Sequence, residues 1–290
     1  MLKTAVLDIG TNSIKAFVCS EGKIISLRKF ENRLGKGFTD SIPPENVKET
    51  IDVLHTIQKE LDVSGTTAFG TEIFRVATNS RDVLEQIKTE TGISIRVLSH
   101  DEELDVYWKG LMKDFKHDGV VAAIDIGGGT VQFMYGDKDG LQGRHKLKLG
   151  VLFLRERFCS GDPLTEEEFT EMEKYIDEQL SEVDVQFPSG TPFVHGATAV
   201  IDFYTEAGHK MVPKDFGKSH PWKVDLADTE EFHHRTRCLP FSERAKIYPS
   251  NPKFTDGSGI GLSCLLCIAK KTGLTYEVPS NNNIVHGFLD

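Results

Sequence analysis

The stretch AVLDIGTNS at residues 5–13 has a counterpart in AIDIGGGT at residues 123–130. Each is an apolar strand that ends in Asp and leads into a turn containing glycine, after which alternating apolar residues resume. This period of two on both sides of the turn predicts a β-hairpin at each place. A Rossmann interpretation of the glycines is excluded, because it needs a helix directly after the turn. The repetition predicts two domains of similar build.

The overall composition is that of a folded globular protein with an acidic balance. The 290 residues contain 34 Lys and Arg against 44 Asp and Glu, which gives a formal net charge of -10. This balance excludes a generally basic nucleic-acid binder, so a polyanionic ligand must be met by a local patch or by metal ions. No secretory or membrane-spanning apolar run develops, and we therefore predict a cytoplasmic protein that does not bind membranes.

The five cysteines are scattered and odd in number, which predicts reduced thiols rather than a disulfide framework. Cys264 and Cys267 form a C-x-x-C inside an apolar stretch at residues 260–269, where we expect a buried helix. The sequence has no second C-x-x-C to complete a zinc site, so a metal role for this pair is disfavoured.

Helical and strand periodicities alternate along the chain, which predicts an α/β protein. A polar, turn-rich segment at residues 116–119 supplies the boundary, so we predict domains at residues 1–117 and 118–290. Thr165 and Glu168 form a T-x-x-E capping box, which predicts the start of a helix that ends near Leu180. We further expect helices at residues 47–61 and 102–113, strands at residues 67–70 and 93–98, and loops with short helices at residues 208–237.

The turn of each hairpin combines residue types that suit phosphate binding. Glycine lets the backbone approach a ligand closely, so that N–H groups point at phosphate oxygens, and the hydroxyls of Thr11, Ser13 and Thr130 add donors. Two such loops facing each other across a cleft would hold a phosphate chain, with Asp8 and Asp125 binding Mg²⁺ directly or through water. The alternative is that each motif is only a tight hairpin turn, and the presence of two copies favours the phosphate site.

Both motifs resemble the phosphate loops of the exopolyphosphatase/guanosine pentaphosphate phosphatase family, which belongs to the actin/hexokinase/Hsp70 superfamily. Further similar segments are GTEIFRVATN at residues 70–79, Glu102-Glu103 with Tyr107 and Gly110, and the stretches at residues 149–158 and 239–245. The resemblance implies an α/β fold of two ribonuclease-H-like, actin-like ATPase domains around a central cleft. It also implies an enzyme that cleaves phosphoric anhydrides with Mg²⁺ and water.

The same resemblance implies roles for individual residues. Glu103, at the position of the family's glutamate base, would accept a proton from the attacking water. Glu102 belongs to an S-x-x-E capping box that begins at Ser99, so we expect it to turn back onto the helix start. Without the resemblance, both would be solvated glutamates in a first helical turn. Phosphate contacts are implied for Gly10, Thr11, Asn12, Ser13, Lys15, Arg75, Gly127, Gly128, Gly129 and Thr130, and metal contacts for Asp8, Asp125 and Gln132.

The chain departs from the family pattern at several of these places. Lys15 stands where the family commonly has Arg, and Phe153 replaces another expected Arg. Gln132 stands where the family has a metal-binding carboxylate, and because an amide brings no charge we expect weaker metal binding. HGAT at residues 195–198 resembles the family's Gly-Gly-Thr turn, with His195 as the departure.

We therefore predict a hydrolase that releases terminal orthophosphate from inorganic polyphosphate by Mg²⁺-assisted attack of water. Guanosine pentaphosphate is the alternative substrate, and a polyphosphate- or nucleotide-binding regulator that has lost catalysis is the alternative class. A sugar or acyl kinase is disfavoured, because the Glu102-Glu103 segment fits the hydrolases. No nucleic-acid partner is expected, and a homodimer is compatible with the sequence.

Overall fold

The chain forms two compact units in the computed structural model, which describes residues 3–289. The first unit runs up to Gly110 and takes in the chain from Ile284 onward, and the second spans Leu111–Asn283. The sequence placed the boundary slightly later, after residue 117. Residues 111–117 belong to the second unit, because Phe115 stacks on Phe216 and the N–H of Lys116 donates to the Phe216 carbonyl.

The first unit is a five-stranded sheet with helices. Its strands follow the order β3-β2-β1-β4-β5, in which β1 pairs antiparallel with β2 and parallel with β4. The C-terminal segment adds a 3-10 helix at Ile284–Phe288, whose Val285 packs with Val6 and Phe69. The elements are β1 (Thr4–Ile9), β2 (Ser13–Ser20), β3 (Lys23–Glu31), α1 (Pro44–Glu60), β4 (Gly65–Gly70), α2 (Glu72–Val76), α3 (Ser80–Thr91), β5 (Ile95–Val97) and α4 (His100–Leu111).

The core of this unit forms from alternate apolar residues of β1 and from apolar residues at helical spacing in α1. Leu7 and Ile9 of β1 face the same side as Ala5 and are fully or almost fully buried. Helix α1 covers that side with Val47, Ile51 and its later apolar residues, which recur at three- and four-residue intervals. Burial of each such side chain stabilises the fold by about 1.5–3 kcal/mol relative to exposure. The helix predicted at residues 47–61 is confirmed.

The second unit is a seven-stranded sheet in the order β10-β11-β12-β9-β6-β7-β8. Its core packs β6, β7 and β9 against α5, α6 and α10. Short 3-10 helices lie at Leu180–Glu182 and Pro252–Phe254. The elements are β6 (Val121–Ile126), β7 (Val131–Asp137), β8 (Gly140–Leu147), α5 (Val151–Phe158), α6 (Glu166–Gln179), β9 (Phe193–Gly196), α7 (Val200–Glu206), β10 (Val212–Pro213), β11 (Trp222–Asp225), α8 (Leu226–Thr236), α9 (Phe241–Arg244), α10 (Thr255–Thr272) and β12 (Tyr276–Ser280).

The two units begin with the same strand arrangement. In the first, β1, β2 and β3 form an antiparallel meander and β4 adds parallel to β1. In the second, β6, β7 and β8 form the meander and β9 adds parallel to β6. The register is also the same, since Asp8 lies opposite Lys15 and Asp125 lies opposite Gln132. The two predicted hairpins are therefore confirmed, and the structure adds that their residues pair in equivalent registers.

Two substantial helices, α3 and α8, were not predicted from the sequence. Residues 208–237 were expected to form loops and short helices, whereas α8 extends over 11 residues. Its buried face contains Leu226 and Phe232, but also Thr229, His233 and Thr236. Polar residues on the buried side hide the apolar period by which a helix is recognised. The stretch with Cys264 and Cys267 does form a helix, α10, and no cysteine in the described chain is paired in a disulfide.

Across residues 3–289, no helix is both long enough and apolar enough to pass through a lipid bilayer.

The capping box at Thr165 gives a direct test of local stability. Thr165 Oγ1 accepts from the N–H of Glu168, whose carboxylate accepts from the N–H of Thr165. Replacing Thr165 by Ala is expected to lower the free energy of unfolding by about 1 kcal/mol, because the cap is lost. Urea denaturation at neutral pH measures the change. Thr170→Ala is the matched control, since the Thr170 hydroxyl donates within the helix to the Glu166 carbonyl, and an equal loss there would contradict the role of the cap.

Glu168 of the same capping box makes the stability of the fold depend on pH. Hydrogen bonds from the backbone of Thr165 and from Ser160 lower the pKa of Glu168 from 4.5 to about 2. A carboxylate whose pKa is lower in the folded state stabilises the fold above its unfolded pKa and ceases to do so as the pH falls through the folded value. The stabilisation that the Glu168 carboxylate contributes, measured as the difference in free energy of unfolding between the native chain and Glu168→Gln, should therefore be lost as the pH falls from about 4.5 to about 2.

Candidate functional site

The first glycine loop, residues 10–12, joins β1 to β2 and is fixed through its carbonyl oxygens. The N–H of Gly35 donates to the Thr11 carbonyl at 3.0 Å, and Asn32 donates to the Gly10 and Asn12 carbonyls at 3.1 Å. The N–H of Gly10 closes the turn on the Ser13 carbonyl at 3.0 Å. The N–H groups of Thr11 and Asn12 donate to no acceptor in the part of the chain that the structure describes. The first loop therefore presents backbone donors to a ligand.

The second glycine loop, residues 127–129, joins β6 to β7 in the same way. Its turn is closed by the N–H of Gly127, which donates to the Thr130 carbonyl at 2.9 Å. The start of α5 takes up the loop carbonyls, since Val151 donates to Gly127 at 3.0 Å and Leu152 to Gly128 at 2.8 Å. Gly128 and Gly129 are exposed, and between residues 3 and 289 their N–H groups find no acceptor. Both loops thus have the donor geometry that binds phosphate oxygens.

Two supporting glycines were not assigned a role from the sequence. A Cβ atom on Gly150 would lie 2.3 Å from the Thr130 nitrogen, and a Cβ atom on Gly35 would lie 2.0 Å from Thr11 Cγ2. A side chain at position 150 would push the backbone of the second loop out of shape, and one at position 35 would force the Thr11 side chain to shift. The sequence offered one signal, because Gly150 falls inside a segment that resembles the family, but the contact itself becomes visible only in the fold.

Asp8 is the acidic residue at the end of β1, and Lys15 neutralises it. Lys15 Nζ lies 3.6 Å from Asp8 Oδ2 across the β1–β2 pair. Burial raises the pKa of Asp8, and Lys15 only partly offsets this effect. Lys15 is therefore engaged by Asp8 within the first unit, although the resemblance implied a phosphate contact for it.

Gln132 occupies the position opposite Asp125 in the β6–β7 pair. Its side chain is buried, with 8% of the residue exposed, and no hydrogen-bond partner for Oε1 exists among residues 3–289. A buried acceptor without a partner costs free energy, and such atoms in native structures commonly await a water or an ion. The carboxylate and the amide oxygen thus lie on adjacent strands directly beneath the second loop.

Arg75 and Glu103, which the sequence named separately, form one ion pair. Arg75 Nη1 lies 2.8 Å from Glu103 Oε2 and also donates to the Leu98 carbonyl at 2.8 Å. Nη2 donates to Glu72 at 2.9 Å. Burial lowers the pKa of Arg75, but the hydrogen bonds that it donates to Glu72 and Glu103 outweigh this effect and raise the pKa above its ordinary value. Both side chains of the pair remain 19% exposed, so a ligand can reach them.

Glu102 makes the cap that the sequence predicted. The N–H of Ser99 donates to Glu102 Oε2 at 2.9 Å, and the N–H of Glu102 donates to Ser99 Oγ at 3.1 Å. The Ser99 backbone, followed by Arg96, lowers the pKa of Glu102. The two adjacent glutamates therefore have different surroundings, with Glu102 at the helix start and Glu103 against Arg75.

The described chain holds no cluster of three or more His, Cys, Asp and Glu side chains suited to a metal ion. The predicted phosphate-binding and metal-binding residues instead gather at the Asp and glycine turn of each unit. The first unit brings together Asp8, Lys15 and the first loop, with Arg75 and Glu103 on its helices. The second brings together Asp125, Gln132 and the second loop.

Known proteins of similar sequence include phosphatases. A family model described as the Ppx/GppA phosphatase family matches residues 12–252. An uncharacterized protein of Streptomyces coelicolor is 27% identical over 266 residues, which cover 85% of this chain and 77% of that protein. A bifunctional 3-dehydroquinate synthase/phosphatase of Fusobacterium nucleatum is 25% identical over 98% of this chain and 46% of its own length. Exopolyphosphatase 1 of Mycobacterium tuberculosis is 24% identical, and the match covers 68% of this chain and 61% of that one.

Solved structures show the same fold. The type II variant of the Aquifex aeolicus Ppx/GppA phosphatase superposes with a TM-score of 0.82 at 22% identity, covering 99% of this chain and 98% of that one. An exopolyphosphatase from Cytophaga hutchinsonii gives a TM-score of 0.75 at 20% identity, with 98% and 96% covered. The predicted α/β fold of two actin-like domains is confirmed. Because the family model spans most of the sequence, this chain belongs to the Ppx/GppA phosphatase family.

Proposed function

We propose that this protein hydrolyses the terminal phosphoric anhydride bond of inorganic polyphosphate with Mg²⁺ and releases orthophosphate. The observation that carries the proposal is the pair of glycine loops with unused backbone N–H groups. A phosphate chain offers the many anionic oxygens that such donors bind, and it would be recognised despite the acidic net charge of the protein. Relatives named exopolyphosphatase act on this class of substrate by name, which supports the proposal.

The donor set fits a magnesium ion at the second loop. Mg²⁺ prefers oxygen ligands and is commonly held by one or two carboxylates together with water and substrate phosphates. Asp125 supplies a carboxylate, and Gln132 Oε1 is a buried oxygen without a partner among the described residues. Asp8 fits less well, because Lys15 already neutralises it. When bound, the ion would supply positive charge to the phosphoryl oxygens.

The remaining chemistry falls to residues of the chain. The loop N–H groups hold phosphoryl oxygens, where preorganised donors stabilise charge that develops in the transition state. Glu103 accepts the proton of the attacking water, and Arg75 fixes the orientation of its carboxylate through the 2.8 Å hydrogen bond. The guanidinium also offers its planar donor edge to a phosphate. A cytoplasmic location and a homodimer belong to the same proposal.

Phosphate release tests the proposal. Orthophosphate is measured from polyphosphate, guanosine pentaphosphate and ATP, each with and without Mg²⁺, together with equilibrium binding of polyphosphate. Release that requires Mg²⁺ is the expected result. Tight binding of polyphosphate without release from any of the three would instead indicate a regulator that has lost catalysis.

A methyl group on the second loop gives a sharper test. A Cβ atom on Gly129 meets nothing within 4 Å, so Gly129→Ala fits the protein and adds a methyl group to the loop that carries the N–H donors. We expect KM for polyphosphate to rise about 10- to 100-fold, as for the loss of one hydrogen bond to a charged group. Gly161→Ala is the matched control, because a Cβ atom there also meets nothing within 4 Å, and Gly161 follows the C-terminal end of α5, whose other end contacts the loop. Equal effects in both variants would contradict phosphate binding by the second loop.

A further inference from the structure

The turn that follows β9, residues 197–199 (the β9 turn), lies beside the second loop. Strands β6, β9 and β12 run parallel, so their carboxyl ends lie at one edge of the sheet of the second unit. Ile124 of β6 pairs in register with His195 of β9, and two residues further along Ile126 and Ala197 line the same cavity. Ligands of open α/β sheets bind outside the carboxyl ends of the strands. The β9 turn is therefore placed to contact a ligand of the second loop.

The backbone of the β9 turn is strained. Ala199 has a φ of 73°, in the left-handed region that favours glycine. Strain of this kind persists only where the surrounding structure enforces it, and it is concentrated at functional sites. The preceding Thr198 has an exposed side chain, whose Oγ1 accepts from Asn283 Nδ2 at 3.0 Å. Across residues 3–289 the Thr198 hydroxyl proton has no acceptor of its own, so it can donate to a ligand.

The turn that follows β12, residues 281–283 (the β12 turn), holds the β9 turn in place. The N–H of Ala197 donates to the Ser280 carbonyl at 3.1 Å, in addition to the hydrogen bond from Asn283 to Thr198. Asn283 is itself buried, with 9% of the residue exposed. The orientation of the Thr198 hydroxyl thus depends on where the β12 turn lies.

A chain of polar side chains fixes the β12 turn. Ser280 Oγ accepts from the N–H of Asn282 at 3.1 Å and lies 3.0 Å from Nε2 of His220. On the other side of the imidazole, His220 Nδ1 lies 3.4 Å from Asp114 Oδ1. Because a carboxylate can only accept, Nδ1 carries the proton and Nε2 accepts from the Ser280 hydroxyl. Donors and acceptors therefore alternate from Asp114 to Asn282.

The imidazole at the centre of this chain is held from several sides. Asp114 Oδ2 accepts from the N–H of Ser219 at 2.9 Å, and the ring of Phe115 meets His220 edge-on at 4.9 Å between ring centroids. Connected hydrogen bonds between buried groups make the surrounding structure rigid. The chain thus ties residues 111–117 firmly to the β12 turn.

The order of carboxylate, imidazole and hydroxyl is that of a Ser-His-Asp triad, in which the serine attacks a substrate. Ser280 and His220 are fully buried here, so a substrate does not reach the hydroxyl. Ser280 Oγ is also engaged by the N–H of Asn282. The chain therefore holds the β12 turn and does not supply a nucleophile.

We propose that His220 is a positioning residue, which acts through Ser280 and the β12 turn to hold the Thr198 hydroxyl where it donates to a phosphate bound at the second loop. The inference rests on the proposed function. Because the hydroxyl would contact phosphate in the bound substrate and in the transition state alike, its loss raises KM more than it lowers kcat. A residue that only stabilised the fold would change the amount of active protein and leave KM unchanged.

Steady-state kinetics on polyphosphate with the full chain test the proposal. Thr198→Val removes the hydroxyl and is expected to raise KM about 10- to 100-fold, as for one hydrogen bond to a charged group, and Thr198→Ser should recover most of this loss. Ser280→Ala interrupts the chain and should raise KM about 3- to 10-fold, as for one neutral hydrogen bond. His220→Gln, whose amide oxygen can still accept from Ser280, should raise KM less than His220→Phe.

A second buried pair of histidine and serine provides the matched control. His233 Nε2 lies 3.1 Å from Ser263 Oγ, and both residues are as buried as His220 and Ser280. The Ser263 hydroxyl also contacts Glu173, so this pair lies among α6, α8 and α10. Ser263→Ala should lower the melting temperature by an amount similar to Ser280→Ala, while KM stays at the native value.

A double variant tests whether Ser280 acts through Thr198. In Thr198→Val combined with Ser280→Ala, KM should be no higher than in Thr198→Val alone, because the group to be positioned is missing. Three results would overturn the inference: a KM that multiplies the two effects, an unchanged KM in either single variant, or an equal rise in Ser263→Ala. Failure of the proposed function is a different result. No substrate would then release orthophosphate, while the dissociation constant for polyphosphate, measured by calorimetry, would still follow the order expected for KM.

Discussion

Replacing Glu103 by Gln is expected to lower the rate of orthophosphate release from polyphosphate by about 10²–10⁴-fold, the usual contribution of a general base. The amide keeps the size of the carboxylate, and its oxygen can still accept from Arg75 Nη1, which now lies 2.8 Å from Glu103. It cannot take a proton from water. Polyphosphate binding should therefore stay close to that of the native chain, so that the loss appears in kcat rather than in KM.

Glu102→Gln is the matched control for this variant. It makes the same chemical change one residue earlier, at a side chain that caps α4 through Ser99. We expect phosphate release to be retained with at most a small fall in melting temperature, because the amide oxygen can still accept from the Ser99 N–H and only the charge paired with Arg96 is lost. If Glu102→Gln were the inactive variant and Glu103→Gln remained active, the assignment of the base would be reversed.

The Arg75–Glu103 pair also bears on how the base is used. The guanidinium of Arg75 is shared among Glu103, Glu72 and the Leu98 carbonyl. A phosphate that draws on the same planar donors would weaken the hold of Arg75 on Glu103. The sequence named both residues but could not show that they touch, because their contact depends on how α2 and α4 pack.

The features that could be predicted from the sequence are those encoded within a few residues. The Ser99–Glu102 cap has both of its partners inside one helical turn, and the structure contains it as expected. The two hairpins follow from alternating apolar residues on either side of a glycine turn, and their registers are equivalent. Local chemistry of this kind is independent of the rest of the fold.

The features that could not be predicted depend on residues far apart in the chain. Glu277 stands alone among apolar neighbours in β12, and nothing near it in the sequence indicates that His195, Tyr204 and Thr229 donate to it. Gly35 is similar, because its requirement for the absence of a side chain comes from Thr11. Helix α8 was missed for a related reason, since its buried polar residues find partners only in the folded unit.

At Gln132, one feature could be predicted from the sequence and another depends on the fold. The departure from a carboxylate could be read from the sequence, but its burial and its unpartnered Oε1 could not. The position is opposite Asp125 in register, so a charge placed there lies next to the oxygen most suited to a metal ion. Under the proposed function, an amide oxygen in this place would bind Mg²⁺ without contributing charge, which predicts an obligatory but weak metal requirement.

Gln132→Glu is expected to lower the Mg²⁺ concentration that half-saturates phosphate release by about tenfold, since the added charge interacts with a nearby divalent ion by more than 1 kcal/mol. Without metal, the new carboxylate would be buried beside Asp125, and the repulsion should lower the melting temperature of the variant. Mg²⁺ should then raise the melting temperature of Gln132→Glu more than that of the native chain, a readout that does not depend on activity. Gln179→Glu, at an exposed position of α6, introduces the same charge elsewhere and should change neither quantity. An unchanged Mg²⁺ requirement in Gln132→Glu would place the metal away from Gln132, and the absence of release from both forms with tight polyphosphate binding would favour the regulator.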